Sequence, residues 1–556
     1  LFAKIFLVAW YTVVSSFAIL FAGGVNAQPG IILSDVTAST GIDFVHTDGS
    51  DGRHFLIESM SAGLAMIDFD KDGDLDLYFL NGAPIDRPAP SSPPTNALYR
   101  NDGNFQFTDV TEAAKVGDIG FGLGVACADY DNDGFPDIYV NNYGANVLFR
   151  NNGDGTYDDL TQIANVANGN LVGGGASFFD MENDGDLDLY VGNYIKFDAQ
   201  AHRVHIHKGL PSYPSPLGYD PESDTLFRNE GDGTFADVSV ASGIRTVAGR
   251  SMGLATFDFD ADGDIDVFVA NDTQENFLFA NDGHGKFEEV GFLAGVAYDY
   301  TGRAQASMGV EVFDVDRDGR QDLYVTSFSE EFCTLYRNLG NGIFEDATLR
   351  AGGYAATFPH VKWGVVAADF DNNGTRDLMV ATGDLDDNRE KRGGVGSASA
   401  YRIPDLLLRV DAKGKIGDMG RDWGSGATIR ESGRGLVSGD LDNDGRLDVA
   451  VLNARGRPTI LKNESPAGNF VKITLVSNRC NRDCLGATVK MQQGNYLQAI
   501  QVRSGCSYQS DTSPCVHMGF PLPDQPVVIT ITWPGRTAPT QMSLHPGATQ
   551  VVAEPK

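Results

Sequence analysis

Residues Asp68 to Asp76 read DFDKDGDLD, and the same nine-residue pattern returns as DYDNDGFPD from Asp129, DMENDGDLD from Asp180, DFDADGDID from Asp258, DVDRDGRQD from Asp314, DFDNNGTRD from Asp369 and DLDNDGRLD from Asp440. Oxygens at positions 1, 3 and 5 converge on one hard cation, position 7 offers its backbone carbonyl and a carboxylate at position 9 closes the shell. This is the flexible, oxygen-only coordination that calcium accepts. Glycine at position 6 permits the sharp turn that brings these oxygens together. An EF-hand requires an acid at position 12, which in the first copy is Phe79, inside the run LDLYFLN. The pattern is a calcium loop leading into a strand, not into a helix.

The candidate metal ligands follow copy by copy. They are Asp68, Asp70, Asp72, Asp74 and Asp76; Asp129, Asp131, Asp133, Phe135 and Asp137; Asp180, Glu182, Asp184, Asp186 and Asp188; and Asp258, Asp260, Asp262, Asp264 and Asp266. The last three copies supply Asp314, Asp316, Asp318, Arg320 and Asp322; Asp369, Asp371, Asn373, Thr375 and Asp377; and Asp440, Asp442, Asp444, Arg446 and Asp448. Phe135, Arg320, Thr375 and Arg446 would serve through their carbonyls. Because Asn373 and Thr375 replace acids, the sixth loop is expected to be the weakest. Every carboxylate of a complete loop is needed for coordination, so the ions are expected to be structural, with no open position for a substrate.

The chain has 556 residues and a formal charge of -33, and the loops hold 30 of its 75 acids. Seven Ca²⁺ ions would cancel 14 of those charges, so much of the acidity is ligand and not a disordered acidic tail. Nucleic acid and anionic membrane surfaces are poor partners for this balance.

The elements that must position the loops repeat with them. A glycine lies five residues before each first Asp (Gly63, Gly124, Gly175, Gly253, Gly309, Gly364 and Gly435), followed by a short apolar stretch such as LAMI or VACA. After the last Asp comes a second strand-like run, and most copies add a third (Leu98-Tyr99-Arg100-Asn101, Leu148-Phe149-Arg150-Asn151) and a fourth after a Gly-rich turn. Spacings between first aspartates are 61, 51, 78, 56, 55 and 71 residues. Four short strands per long repeat with no helical pattern predict an all-β fold, a seven-bladed β-propeller, with a small β-rich domain after it. The seventh repeat lacks a fourth strand after Lys462-Asn463. Ser34-Asp35-Val36-Thr37 matches Thr108-Asp109-Val110-Thr111, so the N-terminal strand is expected to complete the last blade and close the ring.

Residues 1–27 read as a secretory signal, with Lys4, an apolar run from Ile5 to Ala22 and Val25-Asn26-Ala27 as cleavage site; retention as a membrane anchor is the alternative. Cys480, Cys484, Cys506 and Cys515 cluster near the C-terminus, and export favours two disulfides in any of three connectivities over a zinc site with His517, for which the paired short spacings are missing. Cys127 and Cys333 lie among apolar residues and read as buried thiols. His202, His205 and His207 fall in the longest insertion, Tyr194 to Asp224, as a solvated loop in preference to a transition-metal site.

The glycine-to-DxDxDGxxD repeats resemble FG-GAP/VCBS repeats, as in the integrin α-chain propeller, over roughly residues 31–463. GATVKM from Gly486, SYQSDTSPCVHMGF from Ser507 and ITWPGRTAPT from Ile531, within residues 466–556, resemble the ASPIC/UnbV domain. The order of the two is that of the cartilage acidic protein-like family. The resemblance implies a secreted calcium-binding propeller, extracellular or on a cell surface, or periplasmic in a bacterium.

No nucleophile elbow, phosphate loop, HExxH or CxxC is present in the sequence, so the chain reads as an extracellular binding or adhesion module and not as an enzyme. The competing class is a carbohydrate-active enzyme or lectin, which would converge His, Tyr, Arg or acids from outside the loops onto a pocket at the propeller axis. The partner is expected to be an extracellular protein or a glycan. It is expected on the face carrying the insertions 82–97, 194–224 and 383–406, which all follow the second strand of their repeats and so project opposite the calcium loops.

Overall fold

The computed structural model describes residues 30–61, 63–388, 400–522, 524–536 and 538–555. The signal reading for residues 1–27 lies outside them, as does the middle of the third insertion, 389–399. Among the described residues no helix is long and apolar enough to cross a membrane.

The chain is all-β and propeller-like. Each repeat forms an antiparallel four-stranded unit; the first consists of Leu64–Ile67, Asp76–Phe79, Ala97–Asn101 and Phe107–Asp109. The inner strands neighbour one another in chain order, and Gly433–Gly439 of the seventh unit contacts Leu64–Ile67 of the first. A two-residue pairing, Leu171 with Gly144 and Val172 with Tyr143, joins the second and third units into one larger sheet.

Strands such as Asp76–Phe79 are buried on both faces because the apolar cores lie between units. Phe79 and Tyr99 pack with Val437 and Leu452 of the seventh unit, while Tyr78 and Leu98 pack with Val125 and Ile138 of the second. The recurring inner-strand glycine has a steric cause. A Cβ on Gly253 or on Gly309 would stand 2.3 Å from the carbonyl oxygen of Met308 or of Trp363 in the following unit.

The N-terminal strand joins the last unit as the sequence predicts: Leu33–Asp35 pairs antiparallel with Thr459–Asn463, Leu33 opposite Asn463. The side chains repeat the pattern of an uninterrupted unit. Asp109 Oδ1 accepts from Thr111 N and Thr111 Oγ1 from Leu98 N; in the seventh unit Asp35 accepts from Thr37 N and Thr37 from Ile460 N. These Asp and Thr residues introduce single helical turns such as Thr111–Ala114 and Thr161–Ala164, too short to leave a helical period in the sequence.

The C-terminal region forms two sheets. Asn469–Val476 pairs with Cys515–Phe520 and with Ala548–Ala553; Thr488–Gln493 pairs with Tyr496–Gln501 and Val527–Thr532, and Thr540–Leu544 adds the edge. Between these strands, residues 504–512 run along the inner strands of the repeat units. Val310 N donates to the Ser507 carbonyl at 2.8 Å and Ser507 N returns a bond to Val310 at 3.0 Å; Val125 N donates to Gln509 O, and Asp511–Thr512 pairs parallel with Ala65–Met66. Tyr508, fully buried, donates its hydroxyl to Met60 O at 3.0 Å and packs edge-on against Trp363. The domain that reads in sequence as an appendage is threaded into the repeat array.

Candidate metal centres

In each loop the backbone is fixed before any ion is considered. Position 5 accepts from the N–H of position 7, as Asp72 from Asp74 at 2.9 Å and Asp444 from Arg446 at 3.0 Å. Position 1 accepts from the glycine N–H, as Asp129 from Gly134 at 2.7 Å and Asp314 from Gly319 at 2.9 Å. The left-handed φ of that glycine, 97° at Gly73 and Gly263, is what lets the chain fold over the site.

The acid at position 9 does more than close a shell. Asp76 accepts from Phe69 N at 3.1 Å and from Asn101 N at 2.8 Å, so it ties its own loop to the third strand. The same pair of bonds holds Asp137, Asp188, Asp266, Asp322 and Asp448. Each of its oxygens keeps a second lone pair for a cation.

Ligand oxygens gather within 4.8 Å of one another in five loops: Asp68, Asp70 and Asp76; Asp129, Asp131 and Asp137; Asp258, Asp260 and Asp262; Asp314, Asp316 and Asp322; Asp440, Asp442 and Asp448. Position 5 joins the cluster only in the fourth loop. The third loop, with Glu182 in place of Asp, and the sixth form no such cluster. In the sixth, Arg409 takes Asp371, and Asn373 accepts from Thr375 N at 2.8 Å. Arg320, Thr375 and Arg446 stand at position 7; the guanidinium groups of Arg320 and Arg446 bond the carbonyls of Asn338 and Asn463 at 2.9 and 2.8 Å.

Asp68 Oδ1, Asp70 Oδ1, Asp129 Oδ1, Asp316 Oδ1 and Asp442 Oδ1 are buried without a hydrogen-bond partner. A buried acceptor left unpaired costs about 1–3 kcal/mol, more when charged, and here the orphans recur at positions 1 and 3, where a cation would sit. Burial pushes Asp76 up to about 8 and Asp129 and Asp314 up to about 7, and neighbouring loop acids push the same way. These clusters could hold a hard divalent cation that would relieve both penalties.

The basic residue of the third strand completes the surroundings. Arg150 reaches Asp131 and Arg337 reaches Asp316 at 2.5 Å, and Lys462 reaches Asp442 at 2.6 Å. The asparagine after it is an inter-unit clip. Asn101 Nδ2 donates to Leu75 O of its own loop and to Leu441 O of the seventh; Asn151, Asn229, Asn281, Asn338 and Asn463 each reach the preceding unit in the same way. The run LYRN was visible as a strand; its role as ligand support and clip was not.

The C-terminal domain covers this face. Arg482 N donates to Asn132 at 2.8 Å, Asp129 N to Asp483 at 2.9 Å, Asp258 N to Gln501 at 3.0 Å and Gln321 to Ala499 O at 3.1 Å. Arg317 stacks 4.4 Å over Tyr496, Gln498 bonds the Gly374 carbonyl, and His517 Nε2 lies 3.0 Å from the Gly445 carbonyl. The second, fourth, fifth, sixth and seventh loops are thereby engaged.

On the opposite side the insertions touch one another. Gln200 donates to Asp86 at 2.6 Å, Ser212 to Asp386 at 3.1 Å and Asn388 to Pro211 O at 2.7 Å. His205 and His207 are exposed on a short strand, whereas His202 is turned against Phe55 and the Arg53 carbonyl, so the three do not converge. All six cysteines are thiols in the structure; Cys127 and Cys333 are buried as expected, and Cys480 and Cys484 are within hydrogen-bonding reach of each other.

The FG-GAP-like repeat model matches residues 68–140, 129–191, 217–269, 258–325 and 314–380, and the ASPIC and UnbV model residues 477–556. The chain belongs to the FG-GAP-repeat family with an ASPIC/UnbV domain, the cartilage acidic protein-like family. Cartilage acidic protein 1 of Mus musculus is 24% identical over 504 residues, covering 85% of this chain and 70% of its own length. The Homo sapiens protein is 24% identical over 436 residues, 75% of this chain and 60% of its own length. Among solved structures, an Agrocybe aegerita lectin recognising non-reducing terminal N-acetylglucosamine is 17% identical at a TM-score of 0.37, covering 66% of this chain and 84% of its own. The exotype rhamnogalacturonan lyase YesX is 13% identical at 0.30, covering 82% and 91%. At these scores neither likeness carries an argument.

Proposed function

We propose that this FG-GAP-repeat chain is an extracellular binding module, built as a closed seven-bladed propeller whose loops hold structural calcium and whose insertion face recognises an extracellular protein or glycan. The observation that carries the reading is the covering of the calcium-loop face by the chain's own C-terminal domain, which leaves the other face for partners. Mutual contact of the three insertions supports a common rim there. Closure is supported by contact between the first and last inner strands and by the clip from Asn101 to Leu441. Calcium is supported by the oxygen-only clusters and their orphaned carboxylate oxygens.

The test is to shorten residues 82–97 and 194–224 to the length of Tyr143–Asn146 and to screen the protein with calcium present against glycan arrays and extracellular proteins. Binding lost with calcium stoichiometry and melting retained supports the reading. Binding that survives the deletion but fails when loop acids are changed in folded protein overturns it.

A carbohydrate-active enzyme is favoured by one observation, a cavity of about 450 Å³ at the axis on the insertion face, lined by Tyr213, Trp363, Met252, Met308 and Glu331. Tyr213 accepts from Arg455 Nη2 at 2.8 Å, yet burial holds its phenol well above the ordinary value, which makes it a poor base at neutral pH. We therefore place binding ahead of turnover and non-enzymatic function ahead of catalysis.

A further inference from the structure

A second cavity, of about 120 Å³, lies between the sixth and seventh loops and the C-terminal domain. At roughly 30 Å³ per water this is room for a few waters or one small ion. Most of its ionic groups are matched. Arg503 pairs with Glu311, Lys472 lies 3.5 Å from Asp440, and Asp511 accepts from the N–H groups of Cys127, Gly505 and Thr512 and from the Ser504 hydroxyl.

Arg376 is the exception, with no ion pair or hydrogen bond among the described residues and its Nη1 shielded from solvent. The acids nearest in its field are Glu311, Asp369 and Asp314; they attract it, but none bonds to it, and Glu311 is paired with Arg503. The side chain as a whole is half-buried, and a shielded charged N–H left without an acceptor is destabilising. It is also a local departure from the repeat, since position 8 is Leu75, Pro136, Leu187, Ile265 and Leu447 in five other copies and Gln321 in the fifth.

Two further orphans line the same cavity, Arg503 Nε and His517 Nδ1, and His517 is itself buried. His517 Nε2 faces the Gly445 carbonyl, which requires the hydrogen on Nε2 and leaves a lone pair on Nδ1. The site therefore offers two donors with positive charge and one acceptor.

We propose that this cavity binds a small oxyanion carrying one proton, of the hydrogencarbonate and hydrogenphosphate class, which accepts from Arg376 and Arg503 and donates to His517. Arg376 comes from the repeat array and the other two from the C-terminal domain, so the anion fastens one to the other.

The test uses the calcium-loaded full chain in a chloride buffer of constant pH and ionic strength, with free calcium low enough that nothing precipitates. Titration with hydrogencarbonate or phosphate should raise Tm saturably by about 2 °C. Nitrate, with the same charge as hydrogencarbonate and no proton, should raise it less. Arg376→Leu should lose the rise, and His517→Phe should make hydrogencarbonate and nitrate equivalent. Equal rises in wild type and Arg376→Leu, no rise with either protonated anion, or nitrate as effective as hydrogencarbonate in wild type would each overturn the proposal. Should Arg376→Leu fail to fold, the wild-type comparison of hydrogencarbonate with nitrate decides.

Discussion

Asn101 Nδ2 donates to the carbonyl of Leu441 at 2.8 Å, a bond between residues 340 positions apart that fastens the first unit to the last. Five equivalent asparagines make the same bond to the unit before them, but the sixth unit has Val410 at this position. Its seam with the fifth unit is held instead by apolar packing, as of Phe313 and Val365, and by Lys362, whose ammonium donates to the carbonyls of Phe328 and Glu331 at 2.6 and 2.9 Å. Asn151→Ala leaves the buried carbonyls of Phe69 and Pro136 without this donor, and the expected loss of stability is about 1–3 kcal/mol. Denaturant unfolding measures it, and a change within error would show that the clip contributes nothing.

Calcium loading should raise the melting temperature, since each site bound only in the native state adds roughly 2.7 kcal/mol at a hundredfold excess over Kd. The contribution should differ between loops. Asp260 belongs to the cluster that includes position 5, whereas Asp371 is already held by Arg409 in a loop that draws no cluster together. Asp260→Ala is expected to lower calcium stoichiometry measured by calorimetry, and Asp371→Ala to lower it less. Equal losses would contradict the ranking.

In chelator the loops also set a pH dependence. Burial disfavours the charged forms of Asp76, Asp129 and Asp314 and pushes them up from an ordinary 3.8 to about 8, 7 and 7. A folded pKa above the unfolded one stabilises fully below the unfolded value and loses that stabilisation as pH rises through the folded value. Buried His46 and His517 and half-buried His360, lowered to about 4 chiefly by desolvation, act in the opposite sense only below their ordinary 6.5. Between about pH 6.5 and 8 the chelated protein should therefore melt lower as pH rises, and saturating calcium should flatten or reverse the trend. A chelated Tm that climbs across this window would refute it.

The repeat array was legible because each of its devices recurs. Seven loops, seven glycines and a strand at each end of the array carry their meaning in comparison with one another, so even the pairing of Leu33–Asp35 with Thr459–Asn463 could be read in advance. What recurs also hides. Asn101 and Arg150 looked like parts of a strand because their bonds run to backbone or loop acids that no local pattern marks. Position 5 reads as a ligand in sequence, yet in most loops its first commitment is to the N–H two residues on. The threaded segment 504–512 occurs once, has no apolar period, and finds its partners on inner strands more than a hundred residues away, so it reads as an ordinary loop.

That segment yields the last prediction. Tyr508 has no exposed surface; its hydroxyl bonds the Met60 carbonyl, and its ring lies 5.1 Å from that of Trp363, which in turn carries the Arg434 guanidinium 4.0 Å above it. One side chain thus joins the C-terminal domain to the first, sixth and seventh units. Tyr508→Phe removes one hydrogen bond and is expected to cost about 1 kcal/mol. Tyr508→Ala also empties the space beside Trp363 and is expected to cost about 3–5 kcal/mol. The larger change should alter tryptophan fluorescence, expose residues 504–512 to protease and split one melting transition into two as the domain leaves the array. A single unshifted transition for Tyr508→Ala, with the segment still protected, would show that the surrounding backbone bonds hold the domain without it.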